Sequence, residues 1–327
     1  MTTPIVSNPS DKPSSVIHFH DLSDLWLGII RRQRAVTTIA KYQQVLDCYL
    51  LPTFGSLPVN DIDTLLLSDY FASLQEAPYS LSRQTIHLIK TVCQEIFHLA
   101  DALALVPFNP CIGVYIPKRC YDPSDILSSE AICALIQKKH PGIYENLFPL
   151  MLVSAMRFGE AAALSVQDID TSHNTIHIRK QLVTYYQDGH LRHELHPTTK
   201  NHYCRSISLP PFAMDYLADE LKKREKKQQL ANTQWSNPED LIFTNATGGF
   251  LSHCHVYRRF KKLAAKLDQP DATLHTLRHT GATFAYFSWK DLQKVRSLTG
   301  HTTDAAASYY IHSLEHLTKG AHSIWVL

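Results

Sequence analysis

The chain has 327 residues, a formal net charge of +2, and a composition of 44% hydrophobic and 19% charged residues. This length exceeds one ordinary core and predicts two domains, while the composition is ordinary for a soluble globular protein. The sequence contains no apolar run of about 18 residues, so no membrane span is predicted, and its polar start does not have the apolar core of a secretory signal.

Helical periodicity organises the first third of the chain, after a polar stretch over residues 1–16 that we expect to be disordered. Apolar residues then recur at helical spacing, which predicts an all-helical domain over residues 17–112. Its helices are expected to begin at Asp21, after a cap at Thr37 or Thr38, at Leu67 and at Ser82, with the second ending before Pro52 and the fourth near Leu105.

A second, larger domain is predicted over residues 129–327, behind an interdomain linker at 113–128. It mixes helices with runs of strand-forming residues, and Asp188-Gly189 is typical of a hairpin turn between two of them. The predicted fold class is therefore mainly α with a small antiparallel β-sheet, an α+β fold. Helices are expected at 129–139, at 143–156 and after Arg157, and strands at 175–178, 182–186, 191–196, 205–209 and 241–243.

The seven cysteines are scattered and form no CxxC pair, which is typical of reduced cytosolic thiols. His253, Cys254 and His255 lie too close together in the chain to form a structural zinc site alone. No metal or other cofactor is therefore expected.

Two positively charged motifs could bind an anion. Arg157 follows an apolar predicted helix, where an arginine is costly to bury unless it meets an anion or a carboxylate. Glu160, three residues later, offers a purely structural ion pair as the alternative. His275 and Arg278 share one face if they lie on a helix, and two such donors suit a phosphate, although a plain surface pair would also explain them.

Two further segments are weak indications when taken alone. Lys200 is expected at a hairpin tip ahead of the strand at 205–209, where a lysine is usually solvated. Gly300-His301 is followed by two adjacent tyrosines, Tyr309 and Tyr310, the second of them nine residues after the histidine. Tyrosines on a helix face usually belong to a core.

The order and spacing of these motifs resemble the tyrosine recombinase (phage integrase) family. The pattern is an arginine, a hairpin lysine, His-x-x-Arg, Gly-His and a tyrosine nine residues later. The resemblance covers most of the chain, and it includes Asn109-Pro110 at the end of the helical half and Gly248-Gly249 ahead of a basic helix. It implies an all-helical core-binding domain followed by an integrase-like catalytic domain.

The resemblance also implies an activity and residue roles. The chain would be a site-specific recombinase that cleaves and rejoins DNA through a 3′-phosphotyrosyl intermediate, without metal or ATP. Glu160 matches an acidic position of the first arginine motif and would orient Arg157. The implied catalytic residues are Arg157 and Arg278 as clamps on the scissile phosphate, Lys200 as the proton donor to the leaving 5′ oxygen, His275 and His301 as assisting groups, and Tyr310 as the nucleophile.

The expected partners are double-stranded DNA and further copies of the chain, which would form a dimer or tetramer on the DNA. Accessory DNA-bending proteins could take part, and the expected location is the cytoplasm, at the nucleoid. Candidate phosphate contacts are basic side chains, although solvated helix faces would also explain each of them. These candidates are Lys41, Arg83, Lys90, Lys118, Arg119, Arg258, Arg259, Lys261 and Lys262.

Two other function classes stay open. One is a catalytically inactive DNA-binding regulator of the same fold. The other is a metal-dependent tyrosine nuclease of the relaxase type, which would need a cluster of histidine ligands. The apolar residues 324–327 at the end of the chain are expected to dock on a neighbouring protomer or to pack on their own domain.

Overall fold

A computed structural model describes residues 16–116, 126–138, 142–187, 190–197 and 204–300. Contacts between Cα atoms divide the chain into two compact units. One unit contains residues 16–116, and the other contains nearly all described residues from 126 onward. Two units were expected, and the domain boundaries at 17–112, 113–128 and 129–327 remain predictions.

The first unit is built from helices around one apolar core. The central helix, α5, buries a stripe of apolar side chains that includes Ile89 and Ile96, and these pack with Phe19 from the first helix. The helices are α1 Phe19–Ile30, α2 Val36–Val45, α3 Leu51–Phe54, α4 Thr64–Ser73 and α5 Arg83–Ala102.

The second helix differs from the prediction at both ends. It begins at Val36, so neither Thr37 nor Thr38 caps it. The chain does not leave the helical path before Pro52, because a π-helical turn at Leu46–Leu50 leads directly into α3. Pro52 occupies the first turn of α3, directly after this π-helical turn.

The caps of the next two helices explain where they start. α4 begins earlier than predicted because Asp63 caps it, with its carboxylate accepting a hydrogen bond from the backbone N–H of Leu66 at 2.8 Å. Ser82 caps α5 by accepting from the backbone N–H of Thr85, which confirms the predicted start of that helix.

The second unit combines helices with two small sheets. The helices are α6 Ser129–Ile136, α7 Leu147–Ser154, α8 Phe158–Ala162, α9 Pro211–Ala231, α10 His253–Lys266, α11 Leu274–Trp289 and α12 Leu292–Thr299. The strands are β1 Ile169–Asp170, β2 Thr175–Ile178, β3 Lys180–Gln187, β4 His190–Pro197 and β5 Arg205–Ser208. The tip of the β3-β4 sheet, Tyr185–His190, is grouped with the first unit. No helix among these described segments is long and apolar enough to cross a membrane.

The sheets match the predicted fold class. β2 is the central strand of an antiparallel sheet in the order β1-β2-β5, with Ile176 opposite Ile169 on one side and Ile207 on the other. β3 and β4 pair in a second, two-stranded sheet. The predicted turn at Asp188-Gly189 lies outside the described residues.

The strand predicted at 241–243 is wrong. Leu241 forms only an isolated bridge, to Ser165. The side chain of Asn237 accepts from the backbone N–H of Leu241 at 2.9 Å and donates to its carbonyl at 3.0 Å. The bridge to Ser165 is held by the flanking residues, with the N–H of Val166 donating to the carbonyl of Asp240 at 3.1 Å and the N–H of Ile242 donating to the carbonyl of Leu164 at 2.9 Å. The segment therefore pairs at a single bridge, and Asn237 occupies the backbone groups of Leu241.

Helix α7 is the centre of the second core, since all of its residues are buried. α11 packs closely against it at Gly281, where an added Cβ would lie 2.0 Å from the carbonyl oxygen of Leu152. This close approach brings Arg278, one turn earlier in α11, to the carbonyl of Ala155 at the end of α7.

Candidate active site

The loop between α7 and α8 positions Arg157. α7 ends at Ala155 in the left-handed conformation, with φ +50°, and Arg157 is the extended residue just before α8. The backbone N–H of Arg157 donates to Oε2 of Glu160 at 2.9 Å. Nη1 of the same arginine donates to Oε1 of Glu160 at 3.1 Å. The ion pair considered from the sequence is therefore present, although 38% of the Arg157 side chain remains exposed.

Glu160 lies at the centre of three guanidinium groups, and its side chain is fully buried. Arg205 forms a bidentate contact with the Glu160 carboxylate, with Nη1 donating to Oε1 at 3.0 Å and Nη2 donating to Oε2 at 2.7 Å. Nη1 of Arg278 lies 3.9 Å from Oε2. We call these three residues, together with Arg157, the Glu160 cluster. Three arginines and one carboxylate leave it with a surplus of positive charge.

The ionisation of Glu160 depends on the arginines around it. Burial opposes the charged form of the carboxyl, but hydrogen bonds and charge from Arg205, together with contacts from Arg157, outweigh burial and hold the pKa of Glu160 below its usual value. Glu160 is therefore an anion at neutral pH, and it can serve as a fixed anchor for the surrounding guanidinium groups.

Arg278 is the most deeply buried arginine of the cluster, with 1% of its side chain exposed. Nη1 donates to the carbonyl of Ala155 at 2.8 Å, and Nη2 donates to the carbonyl of Thr299 at 2.6 Å. The guanidinium thus connects the end of α7 with the end of α12. These contacts fix its orientation in advance, which is what an electrostatic binding site requires.

His275 lies one turn before Arg278 in the first turn of α11, and its side chain is exposed. Its ring meets the ring of His279 edge-on, with 4.3 Å between the centroids. The predicted His-x-x-Arg pair therefore lies on one helix, with an exposed histidine and a buried arginine.

Arg205 joins the cluster although the sequence analysis assigned it only to a strand. Besides its contacts with Glu160, its Nε donates to the carbonyl of Leu298 in α12 at 2.8 Å. Side chains alternate along a strand, so Arg205 shares a face of β5 with the buried Ile207. An arginine on the buried face of a strand needs a partner, and this pattern is the signal that could have identified it from the sequence.

The structure brings three of the predicted residues, Arg157, Glu160 and Arg278, into one cluster. The predicted residues Lys200, His301 and Tyr310 lie outside the described residues, as do Lys118, Arg119 and the apolar segment 324–327.

The described candidates for DNA contact differ in exposure and in their partners within the chain. Lys90 donates to the carbonyl of Val114, and Lys261 donates to the carbonyls of Pro270 and Ala272. The exposed candidates are Lys41, Arg83, Arg258, Arg259 and Lys262. Of these, Arg258 and Arg259 also hydrogen-bond within α10, to the carbonyl of Cys254 and to Nε2 of His255 respectively.

The histidine-rich start of α10 packs against aromatic rings. His253 stacks on Tyr257 and meets Phe158 edge-on, and burial lowers the pKa of this histidine. Within the described segments, no group of three or more side chains is arranged to hold a metal ion.

Comparison with known families identifies the class of the protein. The model of the phage integrase family matches residues 128–316, and the model of the phage integrase N-terminal SAM-like domain matches residues 18–75. The first match alone covers more than half of the chain, so the chain belongs to the phage integrase family.

Individual relatives agree with this assignment along nearly the whole chain. A prophage phiRv2 integrase of Mycobacterium tuberculosis is 26% identical over 316 residues, which is 94% of this chain and 77% of that protein. The tyrosine recombinase XerD of Lacticaseibacillus casei is 24% identical, over 90% of this chain and 94% of that protein. The Tn1549 transposon integrase, solved with transposon right end DNA, shares the fold with a TM-score of 0.73 at 14% identity, over 91% of this chain and 98% of that one.

Proposed function

We propose that the Glu160 cluster is the phosphate-binding part of an active site that cuts and rejoins DNA. The chain is a tyrosine-type site-specific recombinase, as its family membership establishes. The observation that carries the assignment of the site is the convergence of Arg157, just before α8, and Arg278, in α11, on one buried carboxylate.

The charge of the cluster suits the reaction. A phosphodiester gains negative charge on its non-bridging oxygens as a nucleophile attacks phosphorus. Arginines fixed in advance stabilise this charge without having to reorganise, and loss of one such donor typically slows a reaction about a hundredfold. In this proposal Arg157, which is partly exposed, and Arg278, which is held by backbone carbonyls, contact the phosphate.

The remaining roles complete the reaction. Tyr310 attacks phosphorus and forms a 3′-phosphotyrosyl bond, and Lys200 protonates the 5′ oxygen as it leaves. His275 and His301 assist by hydrogen bonding and proton transfer. The phosphotyrosyl bond retains the energy of the broken one, so a 5′ hydroxyl from another strand can reverse the step without metal or ATP.

The chain binds DNA, and its assembly on DNA belongs to the proposal. Two or four copies act together on a pair of sites, with the apolar segment 324–327 docking on a neighbouring copy. Accessory DNA-bending proteins can assist, and the place of action is the nucleoid in the cytoplasm. The exposed basic side chains Lys41, Arg83 and Lys262 contact phosphates in this arrangement.

Trapping of the covalent intermediate tests the proposal. Nicked duplexes that tile the DNA flanking the coding region are incubated with the full chain, and adducts that survive detergent are separated on a gel. Wild-type protein and Tyr309→Phe should form the adduct, and Tyr310→Phe should not. The adduct should also form in excess EDTA, because no metal takes part.

Three other results would change the assignment. An adduct with Tyr310→Phe would move the nucleophile to another residue. Loss of the adduct in EDTA would favour the relaxase type of nuclease. Tight binding of a duplex by the wild-type chain with no adduct on any duplex would favour an inactive regulator.

A further inference from the structure

We infer that Arg205 is a positioning residue of the active site, which holds the Glu160 cluster and the end of α12 together. The inference rests on the proposed function, because it concerns the same phosphate-binding site. Arg205 is not part of the motif pattern of Arg, Lys, His-x-x-Arg, Gly-His and Tyr.

The contacts of Arg205 join two parts of the site that are far apart in the chain. Its two terminal nitrogens both bind the Glu160 carboxylate, and its Nε binds the carbonyl of Leu298. Only 10% of its side chain is exposed. A planar guanidinium can serve a carboxylate and a carbonyl at the same time, which the single ammonium of a lysine cannot do with the same geometry.

The first consequence concerns the charge available to a phosphate. Glu160 Oε1 accepts hydrogen bonds from both Arg157 and Arg205. Because the two-pronged contact with Arg205 balances the charge of the carboxylate, Arg157 is not needed to neutralise it. Without Arg205, Arg157 would be the principal counterion of a buried anion and less able to turn to a phosphate.

The second consequence concerns the residue that follows α12. This helix ends at Gly300 with φ +68°, and a Cβ at Gly300 would lie 3.1 Å from Nη1 of Arg205. The Arg205 guanidinium therefore lies close to the backbone turn at Gly300. Arg278 binds the next carbonyl, that of Thr299, so two arginines hold the last turn of α12 just before His301.

A comparison of two conservative variants tests the inference. Arg205→Lys retains the positive charge but loses the planar guanidinium that binds both oxygens of the Glu160 carboxylate. Arg224→Lys is the matched control, because Arg224 is also largely buried and binds both a carboxylate, that of Asp240 at 2.7 Å, and a carbonyl, that of Leu241 at 3.1 Å. Each full-length variant is incubated with the nicked duplex on which the wild-type chain forms the most adduct.

The measured quantities are the single-turnover rate of adduct formation at saturating duplex and the Kd for that duplex. Arg205→Lys should slow adduct formation about tenfold or more, since small misplacements of reacting groups are costly. Its Kd should stay within about threefold of the wild-type value, because other phosphate contacts provide most of the affinity. Arg224→Lys should leave both quantities unchanged. A rate for Arg205→Lys equal to that of Arg224→Lys would overturn the inference.

A second pair of variants covers the case in which Arg205→Lys does not fold. Removal of both partners of a buried ion pair is tolerated better than removal of one. Glu160→Gln is therefore compared with the double variant Glu160→Gln, Arg205→Met. The double variant should form the adduct at least about tenfold more slowly than Glu160→Gln. The hydrogen bond from Arg205 to the carbonyl of Leu298 is lost in it, and small misplacements of reacting groups are costly. Equal rates would reject the role of Arg205.

Failure of this inference differs from failure of the proposed function. If the wild-type chain forms no adduct, the proposed activity is wrong, and if Tyr310→Phe still forms it, the proposed nucleophile is wrong. If the wild-type chain reacts, Tyr310→Phe does not, and the Arg205 variants match their controls, then only the role of Arg205 is rejected.

Discussion

The backbone of Leu152 leaves room only for a glycine at position 281. A Cβ at Gly281 would lie 2.0 Å from the carbonyl oxygen of Leu152, well inside any real contact distance. Helix α11 can therefore approach α7 closely, and Arg278 reaches the carbonyl of Ala155 three residues beyond Leu152. The geometry of the candidate active site thus depends on a helix packing contact that contains no charged group.

Gly281→Ala should destabilise the second unit, because the new methyl group forces the two helices apart. Overpacking of this kind typically costs about 1–3 kcal/mol. Gly28→Ala is the control, since a Cβ at Gly28 in α1 would meet nothing within 4 Å. That change should be neutral or stabilise by up to about 1 kcal/mol, because alanine favours a helix interior. Thermal unfolding of both variants checks the contrast, and equal stability of the two would contradict it.

Arg157 and Arg278 should differ in what their loss does to folding. Both Arg157→Ala and Arg278→Ala should slow formation of the covalent adduct about a hundredfold. Arg278→Ala should also lower the free energy of unfolding by about 2 kcal/mol or more, because the buried carbonyls of Ala155 and Thr299 lose their donors. Arg157 is 38% exposed, and its loss should change stability much less. Denaturant unfolding separates the two, and similar unfolding curves would refute the distinction.

Glu160→Gln should destabilise the chain in a pH-dependent way. The folded-state pKa of Glu160 is lowered from the ordinary value of 4.5, so its charge stabilises the fold above that pH. This stabilisation is lost as the pH falls through the lowered pKa, where the native carboxyl becomes neutral like the amide. The stability difference should be on the order of 3 kcal/mol at pH 7 and should shrink below pH 4.5. Urea unfolding across this range measures it, and a difference independent of pH would exclude the ionised carboxylate as the cause.

Local patterns in the sequence predicted most of the fold. The helical periodicity and the cap at Ser82 predicted α5, and the run of strand-forming residues at 175–178 predicted β2. The prediction failed where a single distant or unusual contact decides the structure. Pro52 lies in a helix that continues from a π-helical turn, and Leu241, whose backbone groups bind Asn237, forms only an isolated bridge.

The candidate site was predictable only in part, for the same reason. Arg157 and Glu160 are close in the sequence, so their pairing could be considered from spacing. Arg205 lies 45 residues from Glu160, and no local pattern specifies that these two meet. The carbonyl partners of Arg278 in α7 and α12 are likewise products of tertiary packing, since any residue can present a backbone carbonyl.

Lys261 and Lys262 are adjacent in α10 but should have different roles. Lys261 donates to the carbonyls of Pro270 and Ala272, in the loop that leads to α11. Lys261→Met should therefore destabilise the fold by about 1 kcal/mol and leave the salt dependence of DNA binding nearly unchanged.

Lys262 is exposed and is one of the basic side chains proposed to contact DNA phosphates. Lys262→Met should keep the stability and weaken DNA binding similarly for all sequences, and it should reduce the slope of log K against log salt by about 1. Fluorescence anisotropy with a labelled duplex at several salt concentrations measures this slope for both variants. A smaller slope for Lys261→Met than for Lys262→Met would exchange the two roles, because release of a counterion marks the lysine that neutralises a phosphate.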